Sequence, residues 1–233
     1  MIAVTFDYGQ TLGQLDTAFL ATRVAERGAR TTSDALDRAM PAAWAAYDAA
    51  KHRGETGHDA WTTFMRTLLA GAGVTGAGEA ATPRGLAEFL WSAQPTRNLW
   101  RRPIAGMAEL VQELSERGVR LGIVSNSEGR LVELLEAMGL RRFFPVVADS
   151  GALGFEKPER RIFEWTAERL GVAPADIIHV GDAWVADVEG ALAVGARAVW
   201  ITSARGAREL PPRVVACATA EDVRRALTAW GVP

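Results

Sequence analysis

Ile177–Ile201 reads IIHVGDAWVADVEGALAVGARAVWI, and its texture changes twice along its length. Ile177 to Val180 is an apolar run too short for a helix but suited to a buried strand, and it stops at Gly181 and Asp182. Ala183 to Val194 follows at helical spacing, and Ala198 to Ile201 is apolar and strand-like again. Strand, helix and strand at these lengths imply parallel strands joined by a right-handed crossover. The same unit recurs toward the N-terminus. Met107, Leu110, Val111 and Leu114 share a helical face before an apolar strand at Val119 to Val124. Glu128 to Met138 is helical, Pro145 to Ala148 is a short strand, and Glu159 to Leu170 is helical. The opening run, Ile2 to Phe6, has to join this sheet, because alone it cannot bury itself. From Asp16 to about Leu90 the period is helical throughout: Phe19, Leu20 and Val24, then Asp34 to Ala50, then Trp61 to Leu69. A Gly/Ala loop at Gly71 to Ala80 and a short helix at Arg84 to Trp91 follow. The predicted fold is therefore α/β. It is a doubly wound parallel-sheet core, residues 1–12 and 99–233, covered on both faces and interrupted by an all-helical insertion at 13–98.

Composition narrows the function classes. The chain has 233 residues, 48% hydrophobic and 23% charged, which suits a folded globular protein with a sizeable core. With 26 basic against 28 acidic residues the net charge is -2, so no electrostatic pull toward nucleic acid or an anionic membrane is expected. No apolar run reaches the ~20 residues of a membrane span, and MIAVTFDYG lacks the basic start of a signal peptide. A cytoplasmic, reducing location is expected, with the single Cys217 buried as an apolar residue. Only Lys51 and Lys157 are lysines among 26 basic residues, which draws the eye to both.

In open parallel sheets ligands bind beyond the carboxyl ends of the strands. The residues found there are Asp7 after the first strand, Ser125 and Asn126 after the second, Lys157 after the third, and Gly181 with Asp182 after the fourth. Asp187 follows five positions later. Each has an ordinary explanation when taken singly: a turn, a helix cap or a solvated lysine. Together they supply carboxylates for a hard cation, an ammonium and a hydroxyl for phosphoryl oxygens, and a carboxylate able to attack phosphorus.

Four stretches in this order resemble the haloacid dehalogenase (HAD) superfamily, in the subgroup with a helical cap inserted after the first strand. They are VTFDYGQTL, PIAGMAELVQELSERGVRLGIVSNS, SGALGFEKPERRIF and IIHVGDAWVADVEGALAVGARAVWI. The resemblance implies a Rossmann-like core and Mg²⁺-dependent hydrolysis of a small phosphorylated metabolite by a monomer or homodimer. It assigns Asp7 as nucleophile and Mg²⁺ ligand, Ser125 and Lys157 as phosphate holders, and Thr11 and Asn126 as substrate contacts. The metal set is completed by the backbone carbonyl of Gly9, by Asp182, and by Asp187 in the outer shell. The sequence departs from the family's phosphatases at Gly9. There the pattern DxDxT has become Asp7, Tyr8, Gly9, Gln10, Thr11, removing the second Asp that protonates the leaving oxygen. Superfamily dehalogenases also lack that Asp, but they dispense with the metal acids that are intact here. The alternatives implied are carbon to phosphorus cleavage like that of phosphonoacetaldehyde hydrolases, with Lys51 as imine former, or a weakly catalytic protein that binds a phospho-ligand or a partner. Lys51, His52 and His58 otherwise read as polar residues of a helix end. Trp44, Trp61 and Trp91 read as cap core, Tyr8 as a packing or pocket residue, and His179 as a satisfied core residue.

Overall fold

A computed structural model describes residues 2–202 and 209–233. Six parallel strands form the main sheet in the order β5-β4-β1-β6-β7-β8: β1 (Ala3–Phe6), β4 (Arg120–Ser125), β5 (Val146–Asp149), β6 (Ile177–Gly181), β7 (Arg197–Ile201) and β8 (Val214–Cys217). β1 lies inside the sheet and all four of its residues are buried, as a strand covered on both faces requires. Its register sets Thr5 between Gly122 of β4 and His179 of β6. The crossovers carry α5 (Met107–Glu116), α6 (Leu131–Ala137), α7 (Ser150–Leu153), α8 (Arg160–Leu170) and α9 (Gly190–Ala193), and α10 (Ala220–Ala229) follows β8. α8 shows how these helices are specified. Ile162, Phe163, Thr166, Ala167 and Leu170 bury one face, and Gly171 at φ 66° ends the helix where an L side chain would be strained.

The chain divides into two compact units, one of Met1–Gln14 with Arg102–Pro233 and one of Leu15–Arg101. The second unit holds α1 (Thr17–Ala25), α2 (Ser33–His52), α3 (Gly57–Gly71) and α4 (Pro83–Ala93). Side-chain caps start three of these helices: Asp16 accepts from Phe19 N, Thr32 from Ala35 N, and Thr82 from Gly85 N with Pro83 in the first turn. Leu36, Phe64, Met65, Leu68, Leu86 and Leu90 fill its interior.

Several elements differ from the sequence expectation. β2 (Gly13–Leu15) and β3 (Trp100–Pro103) make a two-stranded ribbon, and the division between the units falls within that ribbon rather than at 13 and 98. The helix expected from Glu128 starts only at Leu131, because Asp149 draws the amides of Gly129 and Leu131 onto its carboxylate. The helix expected over Ala183 to Val194 is a π-helical turn, Trp184–Glu189, followed by the short α9. β8 and α10 follow β7 in a stretch for which the sequence pattern above predicts no element.

Candidate active site

β1 ends in Asp7, whose amide extends the strand ladder by donating to Val180 O at 2.8 Å. The loop beyond closes at once, since the amides of Leu12 and Gly13 both donate to Tyr8 O at 2.9 Å. Gly13 leaves room for this fold-back. A Cβ there would stand 2.9 Å from the Tyr8 ring, which is buried and donates its hydroxyl to Met138 Sδ at 3.1 Å. Tyr8 therefore packs the loop. Thr11, in the same loop, is fully buried, and its hydroxyl has no hydrogen-bond partner.

Lys157 approaches from the loop between β5 and α8, with a cis peptide bond to Pro158. It is 2% exposed, and its ammonium donates to Asp7 Oδ1 at 2.7 Å and to Asp187 Oδ1 at 2.6 Å. Asn126 holds this lysine in place: its Nδ2 donates to Lys157 O at 2.9 Å, and its Oδ1 accepts from Lys157 N at 2.8 Å. An amide engaged with both backbone polar groups of one residue fixes the base of the lysine stem.

Ser125 ends β4 opposite Asp149 and is buried, and its side chain acts to lower the Asp7 carboxyl. Asp149 organises the turn that follows. Its Oδ1 accepts from Ser127 Oγ at 2.6 Å and from the amides of Gly129 and Gly151, each at 3.0 Å. Gly151 has to lack a side chain, because a Cβ would fall 2.5 Å from Gly129 N.

Asp182 and Asp187 follow β6. The π-helical turn brings Asp187 back toward the strand end, where its Oδ2 accepts from Ala183 N at 2.8 Å. A Cβ on Gly181 would meet the Asp187 side chain at 2.3 to 2.6 Å, so the glycine that ends β6 is a packing requirement of Asp187. Asp182 is partly buried, and its backbone carbonyl accepts from Trp200 Nε1 at 2.8 Å. Trp184 is buried edge-on to Trp200 at 5.0 Å and donates its indole N–H to Glu189. Asp7, Asp182 and Asp187 each offer a carboxylate oxygen within 4.8 Å of one another, a hard-oxygen donor set that fits Mg²⁺.

The charges in this cluster shape one another. Burial raises the Asp7 carboxyl above the usual range, and the opposing pull of Lys157 does not fully offset it. Asp187 is buried as well, but Lys157 and a hydrogen bond from His179 outweigh the desolvation and hold it at about 2. Burial would lower the Lys157 ammonium, yet the two carboxylates against it raise it.

The fold thus brings Asp7, Ser125, Lys157, Asp182 and Asp187 into one cluster, with Asn126 bound to the Lys157 backbone and Gly9 and Thr11 in the adjoining loop. Lys51 belongs to the helical unit, where it is buried in the last turn of α2 rather than lying on an exposed helix end. His52 is exposed, and His58 pairs with Glu88 at 3.0 Å. The residue-by-residue reading missed the engagement of His179, whose ring nitrogens lie 2.9 Å from Thr5 Oγ1 and 3.0 Å from Asp187 Oδ1.

The model of the haloacid dehalogenase-like hydrolase family matches residues 3–195. The chain belongs to this family. The HAD-like hydrolase domain-containing protein 3 of Bos taurus is 32% identical over 180 residues, covering 75% of this chain and 70% of that protein. A phosphoserine phosphatase of Thermus thermophilus is 38% identical over 114 residues, covering 48% of this chain and 45% of the enzyme. Among solved structures, the magnesium-bound putative HAD-hydrolase YfnB of Bacillus subtilis superposes with a TM-score of 0.72 at 22% identity, covering 97% of this chain and 98% of that one. That likeness establishes the doubly wound HAD fold. Among the described residues no helix is long and apolar enough to cross a membrane.

Proposed function

We propose that this HAD-like hydrolase is a Mg²⁺-dependent phosphohydrolase acting on a small phosphorylated metabolite through an aspartyl phosphate on Asp7. The observation that carries the reading is the buried Lys157 ammonium bridging Asp7 and Asp187, within a cluster whose third carboxylate is Asp182. Asp7, Asp182 and the Gly9 carbonyl would hold the ion, with Asp187 in its outer shell. When bound, Mg²⁺ neutralises phosphate charge and polarises the phosphoryl group.

The chain's own residues supply the rest. An Asp7 oxygen attacks phosphorus and forms the new P–O bond, while the bond to the leaving oxygen breaks and its electron pair departs with that oxygen. Lys157 and Ser125 hold the non-bridging oxygens as charge redistributes, and Thr11 and Asn126 border the substrate. Water then attacks phosphorus, releases inorganic phosphate, gives its proton to solvent and regenerates Asp7. Gly9 carries no carboxyl to protonate the first leaving group, so substrates whose leaving oxygen is already a stable anion are favoured.

The test is rapid acid quench with a ³²P-labelled aryl phosphate in the presence of Mg²⁺. Label should appear on the wild-type protein within one turnover and be absent from Asp7→Asn. Steady turnover with no labelled protein, or label retained in Asp7→Asn, would overturn the proposal. Mg²⁺-dependent ligand binding with no turnover over a broad panel would favour a binding role instead.

A further inference from the structure

The polar cluster does not end at Asp187. Behind it lie two residues with no part in the chemistry above. His179 in β6 and Thr5 in β1 are both 0% exposed, and they sit opposite each other in register. Thr5 Oγ1 is 2.9 Å from His179 Nδ1, and His179 Nε2 is 3.0 Å from Asp187 Oδ1. The ring is flanked edge-on by Phe163 at 5.2 Å. The chain of contacts therefore runs Thr5, His179, Asp187, Lys157, Asp7 through the interior of one unit.

The chemistry of each group orders the protons. Ionised Asp187 is an acceptor only, so the nitrogen facing it must carry hydrogen. In a neutral imidazole the other nitrogen is then bare, and its partner has to donate. Thr5 supplies a hydroxyl that can rotate to do so.

We propose that Thr5 and His179 are positioning residues. The Asp187 carboxylate keeps the His179 proton on Nε2, the Thr5 hydroxyl donates to the bare Nδ1 and so holds the ring in place, and the Nε2–H holds Asp187 Oδ1 where Lys157 also reaches it. Without the Thr5 donor Nδ1 is a buried acceptor with its hydrogen bond lost, and the ring is anchored at one nitrogen only. A ring free to turn would carry its Nε2–H away from Asp187 Oδ1 and loosen that carboxylate. Outer hydrogen bonds of this kind orient groups around a metal, and their loss commonly weakens the site ~10 to 100-fold. The Mg²⁺ arm of the inference rests on the proposed phosphohydrolase reading, whereas the proton assignment does not.

The chain has three histidines, so side-chain ¹⁵N NMR of the full-length, metal-free protein can read the assignment directly, with His179→Gln identifying the signal. The wild type should show His179 neutral with hydrogen on Nε2. Thr5→Ser should keep that signature, and the near-isosteric Thr5→Val should keep the proton on Nε2 but move the Nδ1 resonance to that of a bare nitrogen with no hydrogen-bond donor. An imidazolium or Nδ1–H signature in the wild type would overturn the proposal, as would an unchanged Nδ1 resonance in Thr5→Val. The wild-type spectrum decides the point even where a variant folds poorly. Calorimetric titration with Mg²⁺ should then show binding ~10-fold weaker in Thr5→Val and nearly unchanged in Thr5→Ser. Equal weakening in both variants would count against positioning by the hydroxyl. Absence of Mg²⁺ binding in the wild type, with the Nε2–H signature intact, would remove the metal reading and leave the proton assignment standing.

Discussion

Both units bury cations, but they do it differently. In the α/β unit Lys157 is 2% exposed and bonded to two carboxylates that are themselves buried. In the helical unit Arg23 is also 2% exposed, yet its guanidinium reaches outward to the half-exposed Glu26 and lies over the Phe89 ring at 4.5 Å, while its Nε has no partner. A cation set between buried anions is held by groups that each need the others to stay charged. A cation that reaches the surface is held by packing, and any solvated acid can answer it. The first arrangement is costly to assemble and intolerant of change, which is the physical mark of a site that does chemistry.

The change expected to break this contrast most completely is Asp7→Asn. It keeps the shape of the side chain and a hydrogen-bond acceptor for Lys157, but it removes the carboxylate proposed as nucleophile. Turnover of any phosphate ester should disappear, while the circular dichroism spectrum stays that of the wild type. Wild-type rates in this variant would exclude Asp7 as the attacking group.

Next in size is a gain. Gly9→Asp places a carboxyl where the leaving oxygen has to be protonated, so turnover of alkyl phosphates should rise by up to ~10² to 10⁴. An aryl phosphate with a stable phenolate should gain much less, and the ratio of the two isolates the acid. Gly9 is not among the glycines with positive φ, so Asp there meets no left-handed backbone strain. Equal rates before and after the substitution, on both substrates, would mean that the absent acid is not what limits the enzyme.

The site divides into what the sequence displayed and what packing alone revealed. Asp7, Ser125, Lys157 and Asp182 were legible because each follows an apolar strand, and strand ends in parallel sheets are where ligands bind. Central strands were legible for the same reason, as continuous apolar runs. The His179 link was hidden, since one histidine in an apolar strand says nothing about its neighbour across the sheet until the register is known. Asp149 was hidden too: it closes a strand and caps a helix begun by residues 18 to 20 positions away in sequence, and no local pattern reports that. The π-helical turn at Asp187 was hidden because nearly every position from Ala183 to Val194 is apolar or small, so the extra residue of a wide turn leaves no visible break in the spacing. β8 and α10 were readable but passed over. Thr219 with Asp222 is a cap signal, and Ala220, Val223, Ala226 and Leu227 recur at helical spacing.

Lys157→Met is the stability counterpart of Asp7→Asn. It leaves two buried carboxylates facing each other with no cation, and breaking a buried pair in this way typically costs about 3 to 5 kcal/mol. Urea unfolding of the metal-free protein at neutral pH should show it. The sign with pH follows from the lost partner. Without Lys157 the folded-state pKa of Asp187 rises from about 2 to above its unfolded value, so the folded variant takes up protons as the pH falls. The deficit relative to the wild type should therefore shrink between pH 7 and about 4. A deficit that grows on acidification would mean that the carboxylates are not what the lysine holds.

Gly181→Ala probes the same cluster through shape rather than charge. The added methyl would lie inside van der Waals contact with the Asp187 carboxylate, and overpacking of this kind costs about 1 to 3 kcal/mol. Because Asp187 must move, Lys157 loses one of its two acceptors, and turnover should fall together with stability. Loss of stability with full activity would separate the position of Asp187 from the chemistry.

The smallest effect is expected in the helical unit, at Arg23→Met. Methionine keeps an unbranched apolar stem of similar reach, so most of the packing around Leu20 and Val24 on the buried face of α1 is retained. Two terms then oppose each other. The cation over Phe89 is lost, which costs about 0.5 to 1 kcal/mol, and a buried N–H that has no acceptor disappears, which offsets part of that. Glu26 keeps solvent and the neighbouring Arg97, whose Nη2 lies 3.1 Å from Glu26 Oε1, so no anion is stranded. The unfolding midpoint in urea should consequently move far less than for Lys157→Met, although the two cations are equally buried. If Arg23→Met proves as damaging as Lys157→Met, burial alone decides the cost. The contrast between a cation held among buried anions and one that reaches out to solvent would then fail.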